Sequence, residues 1–259
     1  MHLFLTQIDP LVFVFIVFIA FVAVFAGFIK GAVGFALPMI MISGLGSFLS
    51  PEIALATLIL PSLATNLWQA LRNGFAAALA SAQQFKLYIG ILLIFIAGSA
   101  QLVLLLPESA LFLILGAPVT LFAFAQLIGW KLEIRPVHRR RAEIIIASIA
   151  GFIGGLSGIW GPQTVAYLTA INTPKVEHVR VQGVVYAAGG IVLLVAHVNS
   201  GVLNAQTVPL SAAMILPAMI GMIIGFRVHD RMDQQKFRRA TLAVLVIAGL
   251  NLMRRGLLG

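Results

Sequence analysis

Ten apolar runs fill almost the whole of this 259-residue chain, and the polar breaks between them are short. The runs are 11–29, 31–49, 53–71, 87–106 and 111–130 in the first half, then 144–158, 159–171, 181–198, 208–226 and 240–252 in the second. Crossing the hydrocarbon core of a bilayer takes about 20 apolar residues in a helix, so most of these runs are of membrane length. With 61% hydrophobic and 10% charged residues, the chain has too little polar surface to cover a water-soluble core. A soluble domain carries about a quarter of charged residues. Lipid is therefore its solvent, which excludes a cytosolic enzyme, a secreted domain and a disordered regulator. With no cysteine, there are no disulfides, iron–sulfur clusters or thiolate zinc sites. Residues 1–10 hold Asp9 and no Lys or Arg, so the basic start of a cleavable signal is missing and the first run reads as a retained span.

The formal charge of +9 acquires a meaning once it is placed on the runs. Lys and Arg collect on cytoplasmic loops near span ends. The central loop, with Lys131, Arg135, Arg139, Arg140 and Arg141, is therefore placed inside. If residues 144–171 enter and return to that side, Lys175, Arg180 and the Arg227–Arg239 group are inside too, as are Arg72 and Lys86. Fourteen of the 17 basic residues then mark one side. The rival single crossing puts Arg227–Arg239 opposite Arg139–Arg141 and loses on the same rule. The charge thus reports orientation, and no nucleic-acid partner is expected.

Residues 27–38 (Gly-Phe-Ile-Lys-Gly-Ala-Val-Gly-Phe-Ala-Leu-Pro) align without gaps on 151–162 (Gly-Phe-Ile-Gly-Gly-Leu-Ser-Gly-Ile-Trp-Gly-Pro), with six of twelve positions identical. About one identity is expected by chance. The chain therefore divides into a first membrane repeat, 1–141, and a second, 142–259. Odd numbers of crossings in each half make the repeats inverted, a plan common among secondary transporters. The expected fold is an all-α polytopic membrane protein of two inverted repeats, each of about five segments and opening on a Gly/Pro-broken helix or hairpin, with eight to ten membrane segments in total.

Broken helices at membrane depth are tolerated where they line a cavity or are buried in protein. Half-helix N-termini suit anions. The plainer alternative is close helix packing through small residues. Two such motifs in register, each followed by Pro, favour a cavity. The candidate substrate-binding residues are Lys30, Gly31, Gly34, Asn66, Gln69, Ser157, Gly158, Trp160, Gly161 and Gln163. Lys30 sits between apolar runs, where a charge signals function, although snorkelling to an interface would also accommodate it. Its repeat counterpart is Gly154. Asn66, Gln69 and Asn73 share one helical face, as do His178, Gln182 and Tyr186. Interhelical hydrogen bonding is the other reading of these stripes.

None of the eight carboxylates lies deep within a run, so an aspartyl protease or a carboxylate proton relay has no residues to use. There is no His-Glu-x-x-His motif or nucleotide-binding loop. No metal, no cofactor and no enzymatic activity are expected, and transport would be passive or driven by an H+ or Na+ gradient. The paired breaks 27–38 and 151–162, with Ser50-Pro51-Glu-Ile-Ala and Asn66-Leu-Trp-Gln-Ala-Leu-Arg72, resemble the sulfite exporter TauE/SafE family of bacterial membrane proteins. That resemblance implies a multi-pass inner-membrane transporter or exporter of sulfite, a sulfonate or a related small anion. A passive anion channel and an intramembrane enzyme on lipid-linked substrates are the alternatives, and oligomerisation is left open.

Overall fold

The computed structural model describes residues 10–45, 48–49, 51–99, 108–130, 133–157 and 159–258, and among these there is no strand. The first half runs α1 (Pro10–Val33), α2 (Leu37–Leu45), α3 (Pro51–Leu71), α4 (Phe75–Gln84), α5 (Lys86–Ser99) and α6 (Glu108–Leu127). The second runs α7 (Arg139–Ser157), α8 (Gly161–Ala170), α9 (Lys175–Asn199), α10 (Val208–Ala213), α11 (Ile215–Arg231) and α12 (Gln234–Leu258). Among the described residues, five helices are long and apolar enough to span a membrane, or six if the pair α4–α5, bent by 75°, is one span. The eight to ten segments expected also include short broken elements, which such a count leaves out. The 9 residues of α2 and 10 of α8 reach about 14–15 Å at 1.5 Å per residue, half a bilayer core. The 19-residue α7 begins on Arg139, Arg140 and Arg141 and so reads as less apolar. The outward side chains are those of a lipid-solvated protein: Phe21, Ile94, Leu121, Val195, Leu216 and Ile247 are all exposed.

Four helix pairs form the framework: α1 with α11, α5 with α7, α3 with α9, and α6 with α12. Small residues set the first. Gly27 and Gly31 face the α11 backbone at Ala218 and Met222, while Gly221 and Gly225 face the α1 backbone at Val24 and Phe28. Without Cβ atoms the helices meet backbone to backbone, which favours dispersion contact where lipid supplies no hydrophobic drive. Gly151 on α7 lies in the same way against Leu92 on α5. Pro61 inside α3 removes the amide that would bond Thr57 O. The Ser211 hydroxyl on α10 donates to that carbonyl at 3.4 Å, tying α10 to α3.

Two hairpins interrupt the framework. After α1, residues 34–36 leave the helix with positive φ at Gly34 (89°) and Ala36 (79°). The chain then returns as α2, so that Gly44 lies beside Val22 and the Phe48 ring meets Phe18 edge-on at 5.0 Å. In the second hairpin α8 runs back along α7, and Ala170 O accepts from Ile134 N at 2.9 Å beside the start of α7.

The loops assigned to the inside from charge meet at one end of the molecule. Arg72 pairs with Asp230 at 2.5 Å. Gln84 donates to Glu177 at 2.9 Å and Arg180 to Ser81 at 2.8 Å. Lys175 Nζ donates to His229 O at 3.1 Å, and Arg238 to Asn172 Oδ1 at 2.9 Å and Gln126 Oε1 at 2.6 Å. The loop after α9 is uncharged and closes on itself, Asn204 Oδ1 accepting from the amides of Gln206 (2.8 Å) and Thr207 (3.1 Å).

Candidate functional site

The two hairpin tips face one another across a cavity of about 50 Å³. The first tip contributes Phe35, Ala36, Pro38 and Met39, and the second Ile159, Trp160, Gly161 and Pro162, while Lys30 and Tyr186 complete the wall. Both short helices begin at this cavity. Leu37 and Gly161 are their first residues and Pro38 and Pro162 their second. Proline fits a first turn, where its missing N–H has no intrahelical partner to lose. The remaining free amides and the aligned peptide dipoles make each start a region of partial positive charge.

Lys30 lies in the last turn of α1, 1% exposed. Its Nζ donates to Asn66 Oδ1 at 2.5 Å and stands 5.4 Å from the centre of the Tyr186 ring. Among the described residues the ion pairs are Arg72–Asp230 and Lys236–Asp233, so no carboxylate accompanies this amine. A buried ammonium is costly without a counter-charge. The cavity is thus lined by a buried amine and two helix starts, with no acid among its wall residues.

The two polar stripes converge on the first tip. Gln69 Nε2 on α3 donates to Gly34 O at 3.0 Å and to Val179 O at 2.7 Å, and lies 3.5 Å from Gln182 Oε1 on α9. Gly34 could not be another residue, because its φ is 89° and a Cβ there would run into the Gln182 carboxamide. Tyr186, one turn beyond Gln182, donates its hydroxyl to Gly161 O at 3.0 Å and so bridges α9 to the second tip. Trp160 packs flat into the space left by Gly154 and Gly189, with its Nε1 unpartnered. Beyond it, Tyr88 on α5 stacks on Tyr167 at 5.1 Å and donates to Thr164 Oγ1 at 3.0 Å, and Thr164 donates back to Trp160 O at 3.0 Å.

Of the candidates from sequence, Lys30, Trp160 and Gly161 line the cavity. Asn66 touches it through Lys30, and Gly34 and Gln69 brace the first tip. Gly31 does not belong with them: it faces the α11 backbone, where its missing side chain allows close helix packing. Gln163 is buried in the first turn of α8 with both amide atoms unpartnered. Gly158 lies outside the described residues, as does the side chain of Ser157. Sequence reasoning missed Tyr186 as a wall residue, though its place in the His178–Gln182–Tyr186 stripe was the signal. Phe35, Met39 and Ile159 carried no signal, because apolar residues at a tip look like any others in an apolar run.

Helices of membrane length around a cavity walled by two hairpin tips are those of a polytopic membrane protein. The family model described as "Sulfite exporter TauE/SafE" matches residues 19–252, and the chain belongs to that family of membrane transporters. No curated protein and no solved structure matched the chain.

Proposed function

We propose that this protein is a secondary transporter, working as an exporter, for a small anion such as sulfite, a sulfonate or a related organic anion, and that the anion binds between the hairpin tips. The observation that carries this reading is Lys30, a buried amine at 1% exposure held by Asn66 and faced by Tyr186, with no carboxylate at hand. An anion entering the cavity supplies the missing counter-charge and meets the starts of α2 and α8. Family membership supports the transport class, and the bacterial inner membrane is the location it suggests. The sequence has no nucleotide-binding loop, so an H+ or Na+ gradient is the proposed source of energy.

The same proposal includes two inverted repeats. Exchanging the halves maps α1 onto α7, α2 onto α8, α3 onto α9, α4–α5 onto α10–α11 and α6 onto α12. Under that exchange the contact of α1 with α11 becomes that of α7 with α5, and α3–α9 and α6–α12 map onto themselves. An in-plane two-fold would move the site between the two faces of the membrane by rocking one bundle against the other.

Counterflow in proteoliposomes tests the function: radiolabelled sulfite and short sulfonates should accumulate in vesicles preloaded with the same anion, whereas neutral analogues of equal size should not. Uptake of every small anion without saturation would make the protein a channel, and no uptake of any anion would refute the reading. Single cysteines at Asn199 and Arg140 in this cysteine-free chain test the topology and should react from opposite sides.

A further inference from the structure

We propose that the charged end of the molecule contains a second binding site, for a single inorganic anion of halide size, between the turn that follows α8 and the first two turns of α12. A void of about 20 Å³ lies there, walled by Thr173, His178, Gln234, Phe237, Arg238 and Thr241. Three of its polar atoms have no partner: Thr173 Oγ1, His178 Nε2 and Thr241 Oγ1. The three residues are 6%, 2% and 1% exposed, so bulk water does not reach these atoms. Buried polar atoms are nearly always paired, and one unpaired group converging on a void is easily an accident of packing, whereas three are a receptor waiting for a ligand.

The sign of the ligand follows from the donors. Both threonine hydroxyls can turn their hydrogens into the void, and His178 Nε2 does the same when it carries its proton. Arg238 supplies positive charge, and its own partners, Asn172 Oδ1 and Gln126 Oε1, are neutral. No carboxylate lines the void. A metal cation would face the guanidinium, and the carboxamide oxygens beside the void are turned to donors: Asn172 Oδ1 accepts from Arg238, and Gln234 Oε1 accepts from Lys175 N at 2.8 Å. Size excludes larger anions. The void exceeds the ~10–15 Å³ that holds one water but is smaller than the 50 Å³ between the hairpin tips, too tight for a sulfonate. Water could satisfy the hydroxyls, but only an anion would also pair with the half-buried arginine. A bound halide would clamp the start of α12 to the α8–α9 turn. This site stands on its own observations and does not depend on what the central cavity binds.

The test is thermal unfolding of the purified full-length protein in sodium chloride or bromide against sodium gluconate at equal ionic strength. A halide bound to the folded state should raise the midpoint saturably by about 3 °C. Lys30→Ala should keep that rise, which separates it from the central cavity. Thr241→Val, which keeps the shape and removes a donor, should weaken the halide response at least tenfold, and Arg238→Gln should abolish it. Bromide-soaked crystals of the wild-type protein give a readout independent of any variant, with one anomalous peak expected between Thr173, His178 and Thr241. The absence of a halide-specific rise, an unchanged rise in both variants, or water in place of bromide would each overturn the site.

Discussion

The hairpins α1–α2 and α7–α8 have the same glycine and proline spacing and present their tips to the same cavity, yet they bring different chemistry to it. The first carries Lys30 and two residues at positive φ. At the matching place the second carries Gly154, and the volume a side chain would need is filled by the Trp160 indole, 3.1 Å from where a Cβ would sit. Behind the second tip are stacked tyrosines and a threonine in place of a charge. The lesson is that the scaffold is used twice and the charge once. On the proposed reading one buried amine next to two helix starts receives the anion, and a second would add a desolvation cost with no partner to offset it.

Substitutions can break this comparison. The largest effect is expected from Gly31→Leu or Gly225→Leu, which force a side chain into the α1–α11 backbone contact. Overpacking of this kind costs about 3 kcal/mol or more, and size-exclusion chromatography should show aggregated protein. Gly151→Leu at the α7–α5 contact should do the same, whereas a normal elution profile would mean that the two contacts are not equivalent. Gly34→Ala comes next. The strained φ and the clash with Gln182 should lower the unfolding midpoint by several degrees, with Gly154→Ala costing much less because its neighbour is an indole face. Tyr186→Phe removes the bond to Gly161 O. At about 1 kcal/mol it should weaken anion binding about fivefold while leaving the fold intact. A loss beyond a hundredfold would place the hydroxyl on the anion itself.

The smallest effect belongs to the charged end. Asp233 accepts from Lys236 N at 2.7 Å at the start of α12, and this bond holds its carboxyl below the usual carboxylate range. A lowered folded-state pKa gives a contribution that is present above the ordinary value and is lost as pH falls through the folded one. Hydrogen exchange in the first turn of α12, corrected for intrinsic rates, should therefore quicken only below about pH 4, and Asp233→Asn should blunt that response.

Much of this was legible from spacing and charge. Fourteen of the 17 basic residues were assigned to one side from sequence, and Arg72, Lys175, Arg180 and Arg238 do tie the loops at one end together. Lys30, Asn66 and Gln69 stood out because polar groups in apolar runs must find partners. Glycine spacing was the ambiguous signal. A glycine that permits an unwound tip and one that lets two helices touch look alike in sequence, so Gly34 and Gly31 could be separated only by seeing what each faces. Helix lengths were hidden for a related reason: apolar runs such as 31–49 and 159–171 do not show that the helices α2 and α8 within them have only 9 and 10 residues. The apolar wall of the cavity was invisible, since Phe35, Met39 and Ile159 become a site only when two tips 124 positions apart in sequence come together.

The central claim is that Lys30 is the charge that receives the anion. The most direct measurement is calorimetric titration of the detergent-purified protein with the anion it transports, comparing wild type with Lys30→Met. Removing a buried charge partner should weaken binding about a hundredfold, or about 2.7 kcal/mol, while the circular dichroism stays helical. Affinity within twofold of wild type in a folded Lys30→Met protein would contradict the account.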